Sequence, residues 1–313
     1  MEQVLVLGGS YFIGRRIVEA LLEAGYGVTT LNRGSRPAVP GVSEIHCNRE
    51  DAEAMKAALA GRQFDAAVDV SGLNARHAEI LCEALPVERL RKLVFISSSA
   101  VYPAAEARPP FSEEGLTGPN PYWGNYGLNK IEAEKVYAAQ MPGQKIFFRP
   151  PYLYGPRNYA QRESFVFAHL LDGRPLILPA SNPQLQFLHT DDQAAAVLAA
   201  LRQDTGPLSV FNTGNAQAVT ASEWVAACAE AAGIPAKTVF YDSLAAGRDA
   251  RDFFPFPEYD NVLDVRKIAA LCPAKVDFIE GLKESFAWFM ARRSEIQFKE
   301  QVAQNEQEIL KTI

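Results

Sequence analysis

Four apolar residues, Val4-Leu5-Val6-Leu7, run without a break into Gly8-Gly9-Ser10-Tyr11-Phe12-Ile13-Gly14 and on into an amphipathic stretch. A short apolar run, a glycine turn and a helix in direct succession open a βαβ unit, which commits this part of the chain to a parallel sheet. Gly8 permits the tight turn, the helix N-terminus offers N–H groups and a positive dipole end to an anion, and Gly14 lets helix and strand approach closely. A dinucleotide site requires that context, with Gly8, Ser10, Tyr11, Phe12, Ile13 and Gly14 as its candidate contacts. The alternative for this motif by itself is a glycine-rich turn that holds nothing.

The alternation continues down the chain. Residues 12–24, 51–59, 77–85 and 122–140 read as helices, and 4–7, 28–31, 66–70, 93–96 and 145–148 as strands. A Pro-rich loop follows Tyr102 and is long enough to be functional. The pattern predicts an α/β fold with a doubly wound parallel sheet. Beyond residue 155, Pro and Gly separate shorter elements: helices at 163–171, 191–201, 220–232 and from 280, strands within 176–188 and at 210–212, and an irregular stretch through Pro255 and Pro257. Residues 294–313 are polar and read as helical or frayed, a solvated tail more readily than a pairing helix.

Charge narrows the partners. The net −6 comes from acids and bases spread along the whole chain, so no cationic field gathers nucleic acid or an anionic membrane. Cys47, Cys82, Cys228 and Cys272 show no metal-ligand spacing; they read as free thiols in a reducing compartment, and no metal is expected. Residues 1–7 form neither a leader nor a spanning run, so the expected location is cytoplasmic.

After the second strand come Asn32 and Arg33, where an acid that bonds the adenosine ribose is often found. Asn32 still suits ribose hydroxyls and Arg33 suits a 2′-phosphate, which leaves NAD and NADP both open; the bland reading of Arg33 is a solvated cation. Asn48 is a further candidate on the adenine side. Tyr126 and Lys130 lie four apart on the long helix, so both side chains leave one face. A phenol of reference pKa about 10 is a weak base at neutral pH, and a neighbouring ammonium favours its phenolate. That spacing alone also describes a surface pair. Ser97-Ser98-Ser99 ends a buried strand at the edge where open α/β sheets bind ligands, although serines there also satisfy strand-end turns.

Together, Gly8 to Gly14, the SSSAVY of 97–102, the YGLNK of 126–130, the RPPYLYGP of 149–156 and the FLHTDD of 187–192 resemble the extended short-chain dehydrogenase/reductases, the NAD(P)-dependent sugar-nucleotide epimerases and dehydratases. The resemblance covers essentially the whole chain in order. It implies a Rossmann-like domain over 1–155, completed by about 184–214, and a smaller C-terminal substrate domain made of 156–183 and 215–313. It further implies NAD or NADP as cofactor, a sugar-like small-molecule substrate and a homodimer. By the same resemblance Tyr126 is the acid/base, Lys130 its electrostatic activator and ribose anchor, and Ser98, four residues before Tyr102, the orienting hydroxyl, with Ser99 as fallback.

Some positions depart from that pattern. Tyr11 replaces the middle glycine of the turn, Tyr152 stands where many relatives have a phosphate-contacting asparagine, and Leu185-Gln186 replace an Arg-Asp pair whose arginine grips diphosphate. Burying a diphosphate without paired donors is costly, so a nucleotide-sugar is disfavoured unless Arg157, Arg162 or another cation substitutes. Similar departures mark an atypical branch that resembles chloroplast stem-loop RNA-binding proteins. The expected function is an oxidoreductase of the epimerase/dehydratase type acting on a secondary alcohol or ketone. The alternatives are an NADPH-dependent carbonyl reductase and a non-catalytic RNA-binding or cofactor-sensing protein.

Overall fold

The computed structural model describes residues 1–312. In chain order the elements are β1 (Gln3–Leu7), α1 (Phe12–Glu23), β2 (Gly27–Asn32), β3 (Ser43–His46), α2 (Ala52–Leu59), β4 (Ala66–Asp69), α3 (Ala75–Ala84) and β5 (Lys92–Ile96). Then follow α4 (Asn125–Gln140), β6 (Gln144–Arg149), β7 (Tyr152–Tyr154), α5 (Arg162–Asp172), β8 (Leu176–Pro179), β9 (Gln184–Leu185), β10 (Phe187–His189), α6 (Thr190–Arg202) and β11 (Leu208–Asn212). The chain closes with β12 (Val219–Thr220), α7 (Ala221–Ala232), β13 (Thr238–Tyr241), α8 (Arg266–Leu271), α9 (Phe278–Arg292) and α10 (Glu300–Leu310).

Two compact units divide these elements. The first comprises Met1–Pro151, Thr190–Gly214 and Leu263–Ala274, the second Tyr152–His189, Asn215–Val262 and Lys275–Ile313. Residues 263–274, which the sequence reading groups with the second part, thus join the first, while 152–155 and 184–189, which it groups with the first, belong to the second. Phe111 bridges Leu263 and accepts a hydrogen bond from the Asp264 N–H at 2.8 Å.

The first unit is built on a seven-stranded sheet of order β11-β6-β5-β4-β1-β2-β3, parallel throughout. Its order reverses between β1 and β4, the switch point at which such sheets bind ligands. Strands covered on both faces read as continuous apolar runs, and Val4, Leu5, Val6 and Leu7 are at most 1% exposed. Leu5 and Leu7 point into a core shared with Met55 of α2, Leu81 of α3 and Tyr137 of α4, so those helices cover one face. Val6 faces the other way, beside Val18 of α1, and Arg16 of α1 pairs with Asp191 of α6 at 2.7 Å.

The second unit carries β8–β13 and β7–β10 as parallel pairs and β9–β12 as an antiparallel one. A cluster of rings fills its interior: Phe187 stacks on Trp224 with centroids 5.9 Å apart, and Tyr152 lies 4.5 Å from Phe256. The polar C-terminal segment is helical over α10 and, against the preference for a solvated tail, is held inward. The Glu306 carboxylate meets His169 Nε2 at 2.7 Å and Arg174 at 3.3 Å, and Ile309 is 1% exposed. The long helix starts at Asn125 rather than 122, because Gly124 takes φ +52° and the Trp123 N–H turns back to the Asn120 carbonyl. The strands β7, β12 and β13 and the helix α8 escaped the sequence reading as separate features.

Candidate active site

The C-terminal ends of β1, β2 and β4 open onto a cavity of about 320 Å³ within the first unit. Its shape depends on the glycine turn. A Cβ on Gly14 would stand 2.0 Å from the Gly8 carbonyl oxygen, so only glycine lets α1 start this close to β1. No side chain caps α1, and its first turn holds no acid, which suits an anion at the helix start.

Of the residues expected from sequence, Gly8, Ser10, Asn32, Arg33 and Asn48 line this cavity. Phe12, Ile13 and Gly14 do not; they are buried and form the back of the turn. The Tyr11 ring carries the Arg36 guanidinium, 3.8 Å from its centroid. Sequence reasoning missed Ser35, Arg36, Arg49, Ser71 and His77 in the wall. Arg36 had a legible signal, a second cation three residues after Arg33. Arg49 had none, because its partners lie far along the chain.

Arg49 clamps the cavity floor. Its guanidinium donates to both oxygens of Asp69, at 2.7 and 2.9 Å, and to Ser71 Oγ at 2.7 Å. Burial alone would raise the Asp69 pKa, but the Arg49 charge and hydrogen bonds outweigh it and hold the carboxyl below its ordinary range. Tyr137 also donates to Asp69, at 2.5 Å, and burial, reinforced by that carboxylate, pushes its phenol well above 10.

Beside this clamp lie the candidate catalytic residues. Lys130 is 2% exposed, and its ammonium donates to the carbonyls of Gly72 at 2.6 Å and Ile96 at 2.8 Å. It therefore sits between the ends of β4 and β5, bonded to carbonyls one residue after Ser71 of the cavity wall and two residues before Ser98. Burial lowers its pKa to about 8, with Asp69 working against that shift. The Lys130 nitrogen lies 5.9 Å from the Tyr126 ring centroid, and Tyr126 is 38% exposed. Ser98 Oγ accepts from the Ala100 N–H at 3.1 Å as the cap of a short 3₁₀ turn, Ser99–Val101, which leaves its own O–H to donate elsewhere. Ser99 is buried, and its N–H bonds the Pro150 carbonyl. Gly127 locks helix to turn: a Cβ there would stand 2.0 Å from the Ala100 carbonyl oxygen. Thus α4 brings Tyr126 and Lys130 against the turn that Ser98 caps.

A cavity of about 470 Å³ lies at the opposite ends of the strands, lined by Glu2, Asp65, Arg91, Lys92 and Asp204 among others. Its charges are mostly committed: Arg91 pairs with Glu2, and Lys92 donates to the carbonyls of Ala200, Leu201 and Gln203. Among the described residues no cluster of His, Cys, Asp and Glu could hold a metal ion, and no helix is long and apolar enough to cross a membrane. In the second unit, Tyr152 is 2% exposed and lies beneath the Arg162 guanidinium at 4.8 Å, while Gln186 is buried and donates to the Asn215 carbonyl. Those two positions are filled by interior packing.

Comparison with known proteins shows the fold and the family. The chain is 29% identical over 304 residues to the Chloroplast stem-loop binding protein of 41 kDa b from Arabidopsis thaliana, covering 91% of this chain and 78% of that one. It is 26% identical to Probable GDP-L-fucose synthase 1 of Oryza sativa subsp. japonica, covering 92% of each. Among solved structures, UDP-glucose 4-epimerase from Thermotoga maritima shares the fold with a TM-score of 0.77 at 20% identity, covering 93% of this chain and 99% of that one. WbmG of Bordetella bronchiseptica, solved with NAD, has a TM-score of 0.74 at 19% identity and covers 93% and 94%. The sequence pattern of one family spans residues 4–214, and with the sheet order and the glycine turn it shows that this chain belongs to the NAD-dependent epimerase/dehydratase family.

Proposed function

We propose that the protein is an NAD(P)-dependent oxidoreductase of the epimerase/dehydratase type, acting on a secondary alcohol or ketone of a sugar-like substrate. The observation that carries this reading is the buried Lys130 ammonium, held by two strand-end carbonyls beside Tyr126 and next to the cavity wall. The uncapped start of α1 suits the pyrophosphate, Asn32 the adenosine ribose, and Lys130 the nicotinamide ribose. When bound, the nicotinamide exchanges a hydride with the substrate carbon. Ser98 donates its O–H to the substrate oxygen and orients it. Tyr126 moves the proton on that oxygen, and the Lys130 charge lowers the cost of the phenolate between turnovers. By the family resemblance, substrate selection falls to the second unit, in which the Arg162 guanidinium lies over the Tyr152 and Phe256 rings. Free thiols fit a cytoplasmic setting, and the family resemblance implies a homodimer.

Tyr126→Phe tests the assignment. It keeps the ring and removes the titrating oxygen, so kcat should fall by about 10²–10⁴-fold with dinucleotide affinity retained. Unchanged turnover would refute it. Absorbance of the reduced nicotinamide separates the subclasses: stoichiometric consumption with a carbonyl substrate identifies a reductase and rejects an epimerase. The similarity to a stem-loop binding protein favours a second reading, RNA recognition on the same fold. Tight RNA binding at physiological salt, together with intact cellular function in Tyr126→Phe, would put that reading first.

A further inference from the structure

The cavity beside the glycine turn holds more positive charge than a dinucleotide without a third phosphate calls for. Arg49 is neutralised by Asp69, and Glu50 lies 3.4 Å from His77. Arg33 and Arg36 differ from these. Both line the cavity just past the end of β2, both are exposed, and neither pairs with a carboxylate among the described residues. The strand ends in Asn32, so no acid is present there to repel a phosphate on the adenosine ribose. Arg36 is also held in place: the Tyr11 ring supports its guanidinium at 3.8 Å without cancelling its charge. A stacked guanidinium keeps its planar fork of donors and loses less freedom when an anion arrives.

We infer that Arg33 and Arg36 receive a 2′-phosphate, so that this chain selects NADP(H) over NAD(H), with Tyr11 positioning Arg36. The inference rests on the dinucleotide-binding reading above and sharpens it. The tyrosine that replaces the middle glycine of the turn then has a purpose: it is the platform for the second arginine. Two charge-assisted contacts to one phosphate are enough for more than tenfold discrimination.

The test is equilibrium binding by calorimetry on the full chain, with 2′,5′-ADP against 5′-AMP and NADP⁺ against NAD⁺. The first pair differs only in the 2′-phosphate and lacks a nicotinamide, so it reads the pocket independently of turnover. The wild type should favour the phosphorylated member of each pair by at least ~10-fold, and less so as salt rises. Arg33→Ser and Arg36→Ser should each weaken NADP⁺ by roughly 10-fold while changing NAD⁺ by less than about 2-fold, and the double variant should bring the pair to parity. Tyr11→Ala should weaken NADP⁺ in the same sense but by less. Equal affinities in the wild type, or variants that weaken both dinucleotides alike, would overturn the inference and leave the oxidoreductase reading standing. Binding of neither dinucleotide would overturn both.

Discussion

Lys130 shows how far a single side chain is governed by what surrounds it. Spacing placed it on one helix face with Tyr126, but nothing local announced that its amine would be buried between the Gly72 and Ile96 carbonyls. Burial lowers its pKa from 10.5 to about 8, and two consequences of opposite sense follow. As pH rises through about 8 the folded protein loses the ammonium that favours the Tyr126 phenolate, so kcat/KM should decline above that pH. Between about 8 and 10.5 the unfolded chain still binds a proton that the folded one has released, so stability should rise with pH in that window. Denaturant titrations at a series of pH values should show this slope in the wild type and not in Lys130→Met. The Asp69–Arg49 clamp was illegible for a related reason: it joins residues twenty apart in sequence that share no motif.

At the scale of elements, legibility followed burial on both faces. β1, β4 and β5 are continuous apolar runs and were readable, as was the turn into α1. β13 alternates exposed with half-buried positions, so it carries no signal without its partner strand. The docking of α10 was not legible because its polar surface looks solvated, while its anchoring depends on Glu306 meeting a buried His169 on a distant helix. Glu306→Ala should therefore release it: amides over 300–310 should exchange rapidly, and the protein should lose about 1–3 kcal/mol of stability. Unchanged protection of that helix would show that Ile309 and its apolar contacts suffice to hold it.

For the whole molecule, the division into two units predicts where a ligand is felt. The cavity at the C-terminal ends of β1, β2 and β4 is lined entirely by residues of the first unit. Saturation at about 100 times Kd should stabilise the folded state by about 2.7 kcal/mol, with the added amide protection strongest at β1, β2 and the start of α1. Calorimetry and hydrogen exchange check both parts, and protection centred on α5, α7 and α9 would misplace the site. The parallel sheet was legible as a whole because every repeat of strand and helix points to it. The substrate was not, because the rings that fill the second unit's interior are drawn from segments far apart in the chain.

The position of β11 sets a timetable for synthesis. β6 ends at Arg149, yet the strand that covers its outer side begins only at Leu208. On the ribosome, about 60 further residues must emerge first, roughly 3–12 s at ordinary elongation rates. Throughout that interval the nascent sheet shows a bare apolar border, open to pairing with another chain. Translation that stalls within this window would leave a sticky intermediate, so chaperone demand should peak there rather than at termination.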